Sequence, residues 1–368
     1  MTRIERSRRL DYLDSLRGIA AVLVLMHHVY QTSPIYAEFV RYTPARIFLN
    51  GRPNVLFFFV LSGFVLAYGL WRGVQGNSYP IYLLRRFARI YIPYAVVGLI
   101  AAILMLLIPT GMLASAAITF NSMWQFPISW NTGLEHLVLV GSSVSNSVNA
   151  PGWSLVYELR ISALIPLFCY LIHTNLRNFL IVYSAIFVAG EILSGYYGIS
   201  GAASQAEGLA GNILLTLHFS GVFVAGILLA KLFLDRPESL QNLSWGIRIA
   251  LVPIAIALML VFRDLTNTLG AVAIMVLALS SPLFQRALRT PVLLWLGKIS
   301  FSLYLTHMVV LEAVVRLLDG RLPLGFSILL AIPTMFVVAY AAFQFVERPA
   351  HLLSIRLGRL SVPVPAAS

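Results

Sequence analysis

The feature that most constrains this chain is a succession of about ten apolar stretches, each near the roughly 20 residues that a helix needs to cross a bilayer. They fall at 13–30, 54–71, 92–109, 153–172, 178–197, 212–233, 246–262, 266–283, 291–316 and 323–346. Gly63, Pro166 and Pro253 lie inside these stretches, which membrane helices tolerate because neighbouring groups satisfy the freed backbone. Composition agrees: 59% of residues are hydrophobic and 11% charged, whereas a water-soluble domain carries roughly a quarter charged residues. Disorder is excluded by the 22 Phe and 16 Tyr, because disordered chains are aromatic-poor. Cys169 is the one cysteine, so neither an internal disulfide framework nor a Cys-rich zinc site is available. No 20–50-residue period is visible, so a repeat array is not expected. The expected fold is an all-α integral membrane bundle of about ten transmembrane helices over residues 1–350, followed by a short cytoplasmic tail, 351–368.

The net charge of +12 invites a nucleic-acid reading, but in so apolar a chain it reports which side of the membrane each loop occupies. With a cytoplasmic N-terminus and ten alternating spans, 18 of the 26 Lys and Arg fall inside and 5 outside. Arg160, Lys298 and Arg316 fall within spans, and the outer loop 110–152 carries no Lys or Arg. Positive residues are retained on the cytoplasmic side during insertion. Both termini are therefore expected in the cytoplasm, and the basic N-terminus (Arg3, Arg6, Arg8, Arg9) reads as a retention signal. That N-terminus with its first apolar stretch has the outline of a signal peptide, but no convincing small-residue cleavage site follows.

Ionisable side chains inside a bilayer cost at least ~2.5 kcal/mol each, so their positions carry information. In the first span Asp14 stands three residues before Arg17, which puts the two charges on one helical face. Arg17 and His28 differ by about 20° in direction and roughly 16 Å in depth. His28 thus shares the face of Arg17, nearer the bilayer midplane, while His27 points about 80° away. Both histidines could equally be helix-packing residues. Arg85, Arg86 and Arg89, before the third span, form a compact cationic cluster at i, i+3 and i+4 spacing. Arginine forks bind phosphate bidentately; such a cluster also fixes topology or touches anionic headgroups.

Glu158 falls five residues into the fourth span, roughly 7 Å below its outer edge, and Arg160 lies about 200° around the helix from it. Each therefore needs a partner on another element. Trp153 suits the interfacial belt. Ser300, Tyr304 and His307 make an i, i+4, i+7 polar stripe in the ninth span, which either lines a cavity or joins helices. Glu191 and Glu312 lie near outer ends and are expected to be solvated. The chain lacks HExxH, GxSxG, Walker A and dinucleotide-binding signatures, and no metal is expected.

Six motifs in order resemble the acyltransferase 3 family of integral-membrane O-acyltransferases, over residues 9 to about 350. They are Leu13-Asp14-Ser15-Leu16-Arg17-Gly18-Ile19-Ala20-Ala21 with His28; Phe57-Phe58-Phe59-Val60-Leu61-Ser62-Gly63-Phe64; and Arg86-x-x-Arg89-Ile90-Tyr91-x-Pro93. Trp153-Ser154-Leu155-x-x-Glu158, Gly297-Lys298-Ile299-Ser300-Phe301-Ser302-Leu303-Tyr304-Leu305-x-His307 and Val346-Glu347-Arg348-Pro349 complete the set. The family acylates surface polysaccharides, lipopolysaccharide, glucans, Nod factors and some antibiotics. The resemblance implies that His28, Arg17 and Glu158 carry catalysis and that Arg86 and Arg89, with Arg17, hold the acyl-CoA donor. Many relatives place a second acid and an aromatic after the glutamate, where this chain has Leu159 and Arg160. Many also append a soluble esterase-like domain, for which no room is expected after Ser354.

The activity implied is transfer of an acyl group, acetyl by expectation, from cytoplasmic acyl-CoA to a sugar hydroxyl of a carbohydrate or glycolipid acceptor. It takes place in a bacterial inner membrane, without a permanently bound cofactor and without nucleic acid. A histidine near neutral pKa suits the role of general base: His28 deprotonates the acceptor, and Arg17 holds the donor or stabilises the oxyanion. An acyl-enzyme route is the less favoured alternative. The rival class is a carrier or flippase for a lipid-linked sugar or organic anion, but the internal repetition typical of such carriers is not visible.

Overall fold

In a computed structural model, the described residues are 10–41, 43, 49–73, 78–125, 128–130, 133, 147–197, 208–261 and 263–359. Arg3, Arg6, Arg8, Arg9, Arg46, most of the outer loop beyond residue 125 and the last nine residues lie outside them. Among the described residues the fold is all-α, without strands. The helices are α1 Asp11–Thr32, α2 Pro34–Arg41, α3 Gly51–Trp71, α4 Tyr79–Leu107, α5 Gly152–Tyr196, α6 Gly208–Asp235 and α7 Pro237–Gln241. They continue with α8 Trp245–Leu260, α9 Asp264–Ser280, α10 Pro282–Leu288, α11 Pro291–Leu318, α12 Leu324–Ala342 and α13 Arg348–Arg359. A π-helical turn, Phe343–Glu347, joins the last two.

Six of these helices are long and apolar enough to cross a membrane: α3, α4, α5, α6, α11 and the run Leu324–Gly358. A seventh is available if α9 and α10, which meet at 98°, count as one broken span. Helix α8 is apolar but has only 16 residues. Helix α1 is not among the six; Asp11, Asp14, Arg17, His27 and His28 make it the most polar of the long helices. Helix α4 begins thirteen residues before the expected span at 92, so Arg85, Arg86 and Arg89 sit within the helix and not ahead of it. The expected tail starts inside α13, which packs against α4.

The two stretches expected at 153–172 and 178–197 are drawn into one 45-residue helix, but Asn175 breaks it with φ −152° and ψ 83°. The Asn175 side chain accepts from the Asn178 amide at 3.0 Å, an N-cap that starts a new helix. The rings of Phe168 and Tyr183 then lie 5.8 Å apart, where a straight helix would separate those positions by about 22 Å. The chain therefore folds back at Asn175 and gives α5 two arms lying side by side.

Glycine sets the closest helix crossings. A Cβ on Gly18 would strike the backbone of Leu296 and Gly297, and one on Gly297 would strike the Asp14 carbonyl. Small residues let membrane helices approach to backbone contact, and here they fuse α1 to α11. Gly63 and Gly226 do the same for α3 and α6, each facing a carbonyl of the other helix.

Two ionic clusters tie the helices together; Glu312 is buried, against the expectation that it is solvated, while the Glu191 side chain stays 39% exposed. Glu312 and Arg316 are both 0% exposed and bonded at 2.7 Å. Arg316 also donates to the carbonyls of Gly111 at 2.7 Å and Met123 at 3.0 Å, pinning the outer loop onto α11. Glu191 accepts from His218 at 2.6 Å, His218 reaches Asp264 at 3.0 Å, and Arg52 grips Asp264 through two nitrogens. Removing one partner of a buried pair such as Glu312–Arg316 costs about 3–5 kcal/mol, so this tie is structural.

Gly18→Val should separate α1 from α11. We expect a destabilisation of about 1–3 kcal/mol or more and loss of transferase activity, read by thermal unfolding and a turnover assay. Gly246→Ala, where a Cβ meets nothing within 4 Å, should change neither.

Candidate active site

The glycine crossing dictates what meets above it. His28 lies ten residues beyond Gly18, and His307 lies ten residues beyond Gly297. Because α1 and α11 run parallel, equal offsets give equal rises of about 15 Å, and the two imidazoles come face to face. Their ring centroids are 5.1 Å apart, and His307 Nε2 stands 3.2 Å from His28 Nδ1.

The hydrogen bonds fix the tautomers. His307 Nδ1 faces the Leu303 carbonyl at 3.1 Å, and His28 Nδ1 faces the Val24 carbonyl at 3.0 Å. A carbonyl only accepts, so both Nδ1 atoms carry a proton, leaving His307 Nε2 as an acceptor. His28 Nδ1–H is shared between Val24 and His307, and the lone pair of His28 is placed on Nε2. A neutral imidazole held this way presents a base in one direction. His27 points elsewhere, with Nδ1 against the Leu49 carbonyl at 2.7 Å.

Polar contacts lead away from this pair along α11 and into α5. The Tyr304 ring centroid is 6.0 Å from that of His307. The Ser154 and Tyr304 hydroxyls lie 2.7 Å apart, and both reach the Pro151 carbonyl, at 3.1 and 3.4 Å. One turn along α5, Glu158 accepts from Ser62 at 3.2 Å and from Arg86 Nη2 at 3.1 Å. Arg86 is 9% exposed and also donates twice to Ser162, at 3.3 and 2.9 Å.

Beyond Arg86 lies a second charged group. Arg89 is exposed and lies among the charges of Arg17, Arg86, Glu347 and Glu158. Arg17 faces Asp14 at 3.6 Å, their side chains 22% and 35% exposed. Glu347 stands in the π-helical turn and accepts from the Ser302 amide at 3.2 Å and its hydroxyl at 2.5 Å. The wider π turn is a common device at functional sites; here it places a carboxylate beside Arg17 and Arg89. Arg17 and Arg89, with Asp14 and Glu347 beside them, form a charged mouth.

Of the five expected residues, Glu158 and Arg86 are bonded directly, Arg89 lies within electrostatic reach of them and of Arg17, and His28 meets His307, beside Tyr304. Arg86 departs from expectation. Its guanidinium is held by Glu158 and Ser162, so it anchors α4 to α5 and answers the need of Glu158 for a partner. Arg160 finds its own partner in Asn212 at 3.0 Å, on α6. Two residues were not singled out by sequence reasoning. His307 was visible only as one member of a polar stripe, and Glu347 only as part of a motif, without a role.

The family profile described as an acyltransferase domain matches residues 10–344, so the chain belongs to the acyltransferase 3 family. It is an acyltransferase. Acyltransferase MdmB of Streptomyces mycarofaciens is 26% identical over 340 residues, covering 85% of this chain and 82% of its own. O-acetyltransferase PaAT-1 of Phomopsis amygdali is 30% identical over 110 residues, 26% of this chain and 22% of its own. No solved structure matches the chain.

If His307 orients His28, His307→Phe should lower kcat by about 10²-fold, the scale of a roughly 1 Å misplacement of a reacting group, with KM for the donor little changed. His307→Gln, which keeps an acceptor, should recover part of the loss. Steady-state kinetics in detergent or vesicles checks both.

Proposed function

We propose that the protein moves an acyl group, acetyl in the first instance, from cytoplasmic acyl-CoA to a hydroxyl of a carbohydrate or glycolipid at a bacterial inner membrane. The observation that carries this reading is the placement of the His28 imidazole, whose Nε2 has no partner among the described residues, about 16 Å from Arg17 on the same face of α1. Arg17 and Arg89 take the anionic phosphates of the donor, because guanidinium forks match phosphate oxygens. The extended pantetheine arm then runs along α1 and delivers its thioester to His28. Arg17 is too distant to stabilise the oxyanion, so its role is to hold the donor. The name of the Phomopsis relative, an O-acetyltransferase, supports acetyl transfer to oxygen.

The reaction follows from these positions. His28 Nε2 takes the proton of the acceptor hydroxyl as its oxygen attacks the thioester carbonyl. The tetrahedral intermediate collapses with cleavage of the C–S bond. The leaving thiolate recovers the proton from the imidazolium, releasing CoA thiol and an O-acyl ester. His307 Nε2 accepts from His28 Nδ1–H throughout, which keeps the ring oriented. Glu158 holds Arg86, and with it the wall between donor mouth and imidazole.

We read the chain as ten crossings with both termini cytoplasmic, which gives this sidedness. Since α1 and α11 run parallel, an odd number of crossings separates them. The two arms of α5, together with α3, α4, α6, α8 and the bent α9–α10 pair, give seven; treating α5 as one crossing leaves an even number. The charged mouth then opens on the side where acyl-CoA is found.

Purified protein incubated with radiolabelled acetyl-CoA should release CoA and label an acceptor glycan. His28→Ala should abolish label transfer, at least about 10³-fold, as expected for loss of a general base. Arg89→Gln should raise KM for acetyl-CoA about tenfold, the scale of one charge-assisted contact, with little change in kcat. Full transfer by His28→Ala removes the base assignment, and an unchanged KM in Arg89→Gln removes the donor assignment.

A further inference from the structure

A cavity lies away from the histidine pair. A pocket of about 870 Å³ opens at the end of the bundle where α1 begins, bounded by α1, α3, α6, α7, α8 and the α9–α10 bend. Arg72, Arg248 and Arg289 face it from three different helices, with Tyr12 and Tyr68 as aromatic walls. On α1, Tyr12 points about 140° away from Arg17. The pocket and the catalytic mouth therefore lie on opposite sides of that helix, and a donor seated here could not reach His28.

The guanidiniums are only partly used. Arg289 donates to Asp11 at 2.9 Å and lies over the Tyr12 ring at 5.1 Å, and Arg72 caps the Tyr68 hydroxyl at 2.6 Å. Arg248 donates one bond, to the Gln241 carbonyl at 2.6 Å. Guanidinium groups that converge on one cavity bind an anion through charge-assisted hydrogen bonds. Asp11 is the single acid against three arginines in this pocket, so the cavity selects for negative charge.

Its rim shows where such an anion would come from. Trp245, three residues before Arg248, is 75% exposed, and Leu283 on α10 is 77% exposed. A tryptophan beside an arginine at a helix start suits the bilayer interface. Basic pockets between helices at that level take phosphate headgroups. We propose that this pocket holds the phosphate headgroup of an anionic phospholipid, with its acyl chains lying along Trp245 and Leu283. The lipid wedges the 98° bend between α9 and α10 against the start of α1.

Native mass spectrometry of the full chain in detergent, titrated with phosphatidylglycerol and with phosphatidylcholine, tests this. Phosphatidylglycerol should be retained about tenfold more tightly and should raise the unfolding temperature. The double variant Arg248→Gln/Arg289→Gln should lose roughly ten- to thirty-fold in retention, at about tenfold or less per headgroup contact. Arg72→Gln, an exposed position, should lose several-fold and serves if the double variant does not fold. Arg177→Gln, an exposed arginine of α5 away from the pocket, should retain the lipid as wild type does. Equal retention of the two lipids, or equal loss in Arg177→Gln, overturns the proposal. Displacement of phosphatidylglycerol by inorganic pyrophosphate at matched concentration also overturns it, assigning the pocket to a soluble phosphate compound.

Discussion

Everything in the candidate site depends on one backbone contact, that between Gly18 and Gly297. Two helices far apart in sequence touch at a point where neither carries a side chain. From that point each advances ten residues to a histidine. Because an α-helix has a fixed rise and twist, the crossing determines depth and direction for both rings at once. A hydrogen bond between neutral groups contributes only about 1 kcal/mol, so the His28–His307 contact is a consequence of this packing and not its cause.

A second constraint is electrostatic. Charges in a bilayer are tolerated when paired or when they face water, and this chain uses both solutions. Glu312 with Arg316 is fully enclosed and locks the outer loop; Glu158 with Arg86 is mostly enclosed and joins α4 to α5. Arg17 and Arg89 remain open, with Asp14 and Glu347 nearby as partial counterions. The distinction separates arginines that hold the fold from arginines available to a ligand. It also accounts for α1, the most polar of the long helices: α3 and α11 pack against it, and its charged face looks toward the other charged groups.

Much of this was legible in the residues. The apolar stretches gave the helical architecture, the 11-residue offset put Arg17 and His28 on one face, and the 200° separation required different partners for Glu158 and Arg160. Partner identity was not legible, because a period describes one helix and says nothing about the helix opposite. Arg86 therefore read as a phosphate ligand when its nearest anion is Glu158. Glu312 read as solvated because its depth was judged from the end of α11, without the loop that covers it. The fold-back at Asn175 was visible only as a gap between two stretches, and the π turn that presents Glu347 has no hydrophobic signature.

The account is tested most directly by cryo-EM of the protein with a non-hydrolysable acyl-CoA analogue. It predicts donor phosphates against Arg17 and Arg89, and the acyl carbonyl carbon near enough to His28 Nε2 for an acceptor oxygen to bridge them, at about 3–3.5 Å from each in a near-attack arrangement. A donor whose phosphates bind elsewhere, or whose acyl end lies away from the His28–His307 pair, contradicts it.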